Sequence, residues 1–293
     1  MPAGDRWGPG AAPAEYRLLL GREHRELSRV AAEQLGPAAI ALSRGGARKT
    51  YAHTDPNEDA ALLVRGPRGI LLAVADGHGG QEGSEIALRA LSELSGPAWC
   101  AAEGMDAAGW RENALEVLAA AGDAILRAPG EARTRPARTT LSLCLARPAE
   151  GLLAAASVGD SHVFHVTERG VRELARPPEP FRFLGFTHET AESLDAIAGT
   201  EVVPLAGTRA VVLATDGLSE VGIGVDDPEL AVAEASEAAL RESVGTRAMS
   251  LAREVVRCAL EAHVAHRAGD NVAIAALVPG DEPPAGSSDP DRG

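Results

Sequence analysis

Five short stretches place carboxylates beside Gly or Asn at the ends of apolar segments. They are Asn57-Glu58-Asp59, Val74-Ala75-Asp76-Gly77-His78-Gly79-Gly80, Val158-Gly159-Asp160-Ser161, Ala214-Thr215-Asp216-Gly217 and Gly269-Asp270-Asn271. One such Asp is ordinarily a turn or cap residue. Several of them on segments lying side by side would gather negative charge at one rim, where the carboxylates repel each other. A bound divalent cation relieves that repulsion. Carboxylate oxygens joined by a backbone carbonyl are hard ligands that suit magnesium, manganese or calcium rather than zinc. Gly77, directly after Asp76, lets its carbonyl approach a cation with no side chain in the way. His78 follows within reach of the same place, where an imidazole could protonate a departing oxygen. The chain has no H-E-x-x-H motif, and Cys100, Cys144 and Cys258 form no C-x-x-C pair. Each lies in an apolar stretch, where a thiol behaves as a small hydrophobe, as suits a reducing compartment.

The elements that must position these groups are readable from connection lengths. Ala60 to Val64 and Ile70 to Ala75 are joined by RGPRG, Thr140 to Ala146 and Leu152 to Val158 by RPAEG, and Val163 to Thr167 reaches Val171 to Leu174 through ERG. Loops this short allow only antiparallel hairpins, so six segments form a run of hairpins rather than a βαβ series. Glu82 to Leu94, Ala107 to Arg127, Pro228 to Glu242 and Arg247 to Ala268 carry apolar residues three and four apart and predict helices with one apolar stripe. Such helices need a sheet to cover, which predicts an α+β layered fold, most simply two packed antiparallel sheets with helices outside. Leu18, Leu19, Leu27, Val30 and Ala31 suggest a further helix between Glu15 and Leu35, ahead of the first strand. This divides the chain into an N-terminal extension (1–36), a single large domain (37–279) and a polar, Pro-rich tail (280–293). Residues 1 to about 15 and the tail are expected to be disordered.

Of the 293 residues, 45% are hydrophobic and 24% charged, enough apolar material for a sizeable core. The formal net charge of -14 and a pI near 5.0 leave no broad basic surface for a nucleic acid. No window reaches the eighteen or so apolar residues of a membrane span, and the N-terminus lacks a basic start followed by an apolar run. A soluble, cytoplasmic protein without nucleic-acid or membrane partners is expected.

In order and spacing, N-E-D-A, V-A-D-G-H-G-G, R-T-T-L, V-G-D-S, T-D-G-L-S-E and G-D-N-V resemble the motifs of the type 2C metal-dependent serine/threonine protein phosphatases, across residues 57 to 278. The resemblance implies a four-layer α-β-β-α sandwich of two antiparallel sheets flanked by helices. It also implies a centre of two manganese or magnesium ions with a weaker third, and a phosphorylated protein as substrate, the target of a serine/threonine kinase. By position, Asp76 matches the carboxylate bridging two metals, the Gly77 carbonyl a ligand of one, and Asp216 with Asp270 the ligands of the other. Glu58 or Asp59 completes the set, and members differ over which coordinates directly and which acts through water. Asp160 and Glu220 match positions that hold the third metal in some members. His78 matches the proposed general acid. The implied mechanism is in-line attack of a metal-activated water on phosphorus with no phosphoenzyme. None of the three cysteines heads a Cys-x5-Arg phosphate loop.

Three stretches depart from the family pattern. Members often place a phosphate-gripping arginine shortly before the first acidic motif, but Thr50 to Pro56 holds none. The nearest basic residues are Arg48, Lys49 and His53. Without a bidentate guanidinium there, weaker substrate binding is expected. His162 stands where an arginine usually follows the serine, and Arg176 to Thr200 lacks the common pattern; this segment is expected to be a surface loop with one short helix, in the region of a variable flap. These departures motivate an alternative, a catalytically weak module that binds a phosphorylated partner. A calcium-stabilised domain without chemistry is a further alternative.

Overall fold

The computed structural model describes residues 14–49, 56–104, 106–128 and 137–280. In chain order the strands are β1 (Glu15–Leu20), β2 (Val30–Leu35), β3 (Ala38–Ser43), β4 (Asp59–Arg65), β5 (Ile70–His78), β6 (Arg138–Thr139), β7 (Leu141–Arg147), β8 (Leu152–Val158), β9 (His162–Thr167), β10 (Gly170–Glu173), β11 (Gly199–Pro204), β12 (Thr208–Ala214) and β13 (Val272–Leu277). The helices are α1 (Glu82–Ala90), continued by a π turn at Leu91–Ser95, α2 (Gly96–Ala101), α3 (Ala107–Arg127), α4 (Ala191–Asp195), α5 (Pro228–Leu240) and α6 (Arg247–His266). Among the described residues one sheet runs β1-β4-β5-β7-β8-β11, with β6 paired to β5, and the other runs β10-β9-β12-β13-β3-β2. All pairings are antiparallel.

Alternation along the strands sorts side chains into layers. In β4 and β5, Ala60, Leu62, Val64, Leu71, Ala73 and Ala75 meet α1, α2 and α3 through Leu88, Trp99, Trp110 and Leu118. The intervening Ala61, Leu63, Leu72 and Val74 turn inward against Ile40, Leu42, Val211, Leu213, Ala273 and Ala275 of the second sheet. The far face of that sheet, with Ala39, Val212 and Ile274, packs on Val232, Leu251, Val255 and Ala259 of α5 and α6. Both central sheets are thus apolar on both faces, which gives the four-layer α-β-β-α sandwich.

The three hairpins form as the short loops require, with β4-β5 and β7-β8 in one sheet and β9-β10 in the other. The helix expected between Glu15 and Leu35 does not form. Leu18 and Leu19 belong to β1, on the edge of the first sheet against β4, Val30 and Ala31 to β2, on the edge of the second against β3, and Leu27 lies in the turn between them. Leu19 enters the inter-sheet core while Leu20 enters the helix-facing one, so the apolar end of β1 is covered on both faces. Glu15 to Leu35 therefore lies within the sandwich rather than ahead of it. The chain turns at Gly21, where a Cβ would collide with the Asn57 carbonyl. The expected disorder of residues 1–13 and of the tail after Gly280 lies outside the described residues.

Candidate metal centre

Asp59 opens β4 directly opposite Asp76 in β5. By the same alternation both face the gap between the sheets, at its rim. The gap changes character along its length, from Leu, Val and Ala to hydroxyls and then to carboxylates. In the hydroxyl zone Ser142 and Ser157 are 2.6 Å apart, and Thr140 Oγ1 meets Ser161 Oγ at 2.8 Å while accepting from the Asp76 N–H at 2.9 Å. The second sheet supplies Thr215, whose Oγ1 donates to Asp59 Oδ2 at 2.7 Å and accepts from the Ala273 N–H at 2.9 Å. Asn271 Oδ1 accepts from the Glu58 N–H at 2.9 Å, and its Nδ2 donates to the carbonyls of Arg44 and Pro56. These bonds tie the N-E-D, T-D-G and G-D-N segments together across the gap.

Around this frame the carboxylates converge. Oxygens of Asp76, Asp160 and Asp216 lie within 4.8 Å of one another, and so do oxygens of Asp216, Glu220 and Asp270. Asp160 sits in the β8-β9 turn after Gly159, whose φ of 102° favours glycine. Asp216 to Leu218 form a 3-10 turn after β12. Among the described residues, the buried oxygens Glu58 Oε1, Asp160 Oδ1 and Glu220 Oε2 have no hydrogen-bond partner. Burial pushes Asp59 up to about 8 against the pull of Lys49, and Asp270 and Asp216 add to the rise. Burial and then the neighbouring carboxylates hold Asp76 and Asp216 well above the usual carboxylate range. Glu220 reaches about 7 through burial and its hydrogen bond with Asp270. Carboxylates that resist ionisation unless a counter-charge arrives are a fit for divalent cations.

One counter-charge is already built in. Lys49 Nζ lies 2.7 Å from Asp270 Oδ1 and 3.4 Å from Glu58 Oε2, with a side chain only 6% exposed. Burial pulls its pKa down, but Asp270 and the other carboxylates raise it further, so it is an ammonium. On the opposite flank His78 ends β5. Its ring stacks on Phe183, centroids 4.7 Å apart, and Arg138 faces it across the β5-β6 pair. Loss of hydration and then the Arg138 charge lower the His78 pKa. Phe183 is held there because Leu184 and Thr139 exchange backbone hydrogen bonds at 2.9 and 3.1 Å.

A model of the family described as protein phosphatase 2C matches residues 47–265, more than half of the chain. The chain belongs to the protein phosphatase 2C family. A search of curated proteins found no match. Among solved structures, the serine/threonine phosphatase Stp1 from Staphylococcus aureus superposes with a TM-score of 0.59 at 19% identity, over 88% of this chain and 98% of that one. The catalytic domain of the serine threonine protein phosphatase PstP, solved with two manganese ions, gives 0.56 at 20% identity, over 86% and 100%. A bacterial serine phosphatase gives 0.59 at 19% identity, over 85% and 100%. At such identities the likeness shows the shared fold.

Within this phosphatase 2C fold the structure brings together all the carboxylates singled out by sequence. Asp76, Asp160, Asp216, Glu220 and Asp270 fall in the two triplets, Asp59 lies opposite Asp76, and Glu58 pairs with Lys49. Gly77 is close-packed, since a Cβ there would lie 2.6 Å from the Glu58 carbonyl and 2.7 Å from that of Gly80. His53 lies outside the described residues, and Arg48 is exposed. Three groups were missed as part of the site: Thr215 and Asn271, which fasten the acidic segments, and Phe183. A signal for Phe183 existed, because three of the chain's four phenylalanines, Phe181, Phe183 and Phe186, fall within six residues of the flap region. The short helix expected in that segment is α4, capped by Thr190.

Proposed function

We propose that the chain hydrolyses phosphoserine and phosphothreonine in proteins at a centre of two divalent cations, manganese or magnesium. The observation that carries this reading is the pair of carboxylate triplets joined at Asp216, with Asp160 Oδ1 and Glu220 Oε2 buried and without partners among the described residues. Membership of the phosphatase 2C family and the two manganese ions of PstP support it. On this reading Asp76, with Asp59 and Gly77 on one side and Asp216 on the other, would serve as a ligand for both cations. The Gly77 carbonyl and one of Glu58 and Asp59 complete one shell, Asp216 and Asp270 hold the second cation, and Asp160 with Glu220 flank a weaker third. When bound, the cations offset charge on the phosphoryl oxygens and lower the pKa of the attacking water. Thr215 and Asn271 keep the acidic segments in place against their mutual repulsion. His78 donates a proton to the departing serine or threonine oxygen. The partner is a phosphorylated protein, the target of a serine/threonine kinase. Buried, unpaired Cys100 and Cys144 suit a cytoplasmic setting. No helix among the described residues is long and apolar enough to cross a membrane.

Asp76→Asn tests the assignment, because one amide oxygen cannot bridge two cations as a carboxylate does. Turnover should vanish with the fold intact, and near wild-type activity under saturating manganese would overturn it. One observation favours a second reading, a module that binds phosphorylated partners with little turnover: Lys49 already pairs with Asp270 and Glu58, which the cations would need. Manganese-dependent hydrolysis of p-nitrophenyl phosphate separates the two.

A further inference from the structure

A phosphorylated substrate brings a dianion to a rim made of carboxylates, so a cationic side chain with hydrogen-bonding capacity to spare has a task there. Lys49 is not that group, since Asp270 and Glu58 already engage it inside the cluster. Arg138 differs on every count. It faces His78 across the β5-β6 pair, and directly opposed residues of an antiparallel pair project from the same face. Its guanidinium lies over the rings of Phe183, at 5.7 Å, and Phe186, at 5.6 Å. Its side chain makes no hydrogen bond or ion pair with the described residues, and its Nε is shielded from water with no partner among them. A guanidinium whose faces lie against aromatic rings has its in-plane N–H groups left for hydrogen bonds, the groups that grip an oxyanion with two parallel bonds.

We propose that Arg138 is a substrate-binding residue whose guanidinium edge grips an oxyanion of the phosphoprotein beside His78. This rests on the phosphatase reading, and the oxyanion is either the phosphoryl group itself or a carboxylate next to the phosphoserine. The aromatic clamp explains how an arginine whose side chain has no hydrogen-bond partner among the described residues is held in place, and it makes the Phe183 to Phe186 segment part of the binding surface.

The test uses the manganese-loaded full chain, with inorganic phosphate as probe in calorimetry and phosphoserine peptides with and without a neighbouring Asp or Glu in kinetics. Arg138→Gln should weaken phosphate binding about tenfold or more, the scale of a lost bidentate charged contact, with manganese binding and melting temperature unchanged. Arg138→Lys should recover part of the loss. If phosphate binding holds but KM rises for the acidic peptides alone, the flanking carboxylate is the ligand and the inference stands. It falls if Arg138→Gln matches the wild type in phosphate binding and both KM values, or if melting temperature and manganese binding drop together with phosphate binding. A wild type that turns over no phosphoester, yet loses phosphate binding in Arg138→Gln, would keep the oxyanion site and reject the phosphatase reading.

Discussion

Asp59 and Asp76 are in register at the mouth of the inter-sheet gap, and their ionisation is opposed by burial and by each other's neighbours. At this scale Lys49 decides how the cluster behaves before any cation arrives. Lys49→Met should lower the melting temperature of the metal-free protein, because removing one partner of a buried ion pair leaves charge uncompensated. The same change should tighten manganese binding, since no ammonium then competes for Asp270; scanning calorimetry and a manganese titration read the two effects. Identical values for both would show that Lys49 is not a competitor. For His78 the expected signature depends on the leaving group. His78→Gln should slow hydrolysis of a phosphoserine peptide on the order of a hundredfold, and hydrolysis of p-nitrophenyl phosphate, whose phenolate leaves without a proton, much less. Equal losses would assign His78 to holding water or metal instead. Most of the acidic residues were legible in sequence because their segments carry a local mark, a Gly or Asn at a strand end, whereas Glu220 stands out only through the family resemblance. Lys49 reads only as a nearby basic residue and Phe183 only stands in a cluster of phenylalanines, since their roles arise from contacts made when distant segments meet.

Among the elements, the loops set the limit of what could be read. Connections as short as RGPRG and RPAEG permit one geometry, and the hairpins they predict are present. The stretch from Glu15 to Leu35 misled because adjacent leucines at the end of β1 serve two different cores, and apolar residues spaced across two edge strands and a turn imitate a helical stripe. Strands β3 and β13, by contrast, are buried at every position, which removes their alternation altogether. The end of β5 makes the strictest local demand. A Cβ at Gly77 would press on the carbonyls of Glu58 and Gly80, so Gly77→Ala must move one of the two acidic segments. It should destabilise the fold by about 1–3 kcal/mol, measured by denaturant unfolding, and weaken manganese binding. Unchanged unfolding would mean that the loop yields freely and that glycine is not required there.

Across the whole molecule, the two sheets are an apolar sandwich that turns polar at one rim, so folding itself assembles the acidic cluster at the cost of crowded carboxylates. That cost has a sign in pH. Asp59 at about 8 and Glu220 at about 7, with Asp76 and Asp216 also raised, hold protons in the folded state that the unfolded chain has released above about pH 4. Stability of the metal-free protein should therefore fall as pH rises from about 5 to about 8. With saturating manganese the fall should shrink or reverse, because the cation binds the ionised form. Melting curves at both pH values check this, and an equal fall with and without manganese would exclude these carboxylates as ligands. The central claim is met most directly by following phosphate release from a phosphoserine peptide by wild type and by Asp216→Asn, each after chelation and after manganese is restored. Wild type should turn over only with manganese, and Asp216→Asn, which removes the carboxylate common to both triplets, should stay inactive at saturating metal. Turnover that survives chelation, or an active Asp216→Asn enzyme, would contradict the two-metal centre.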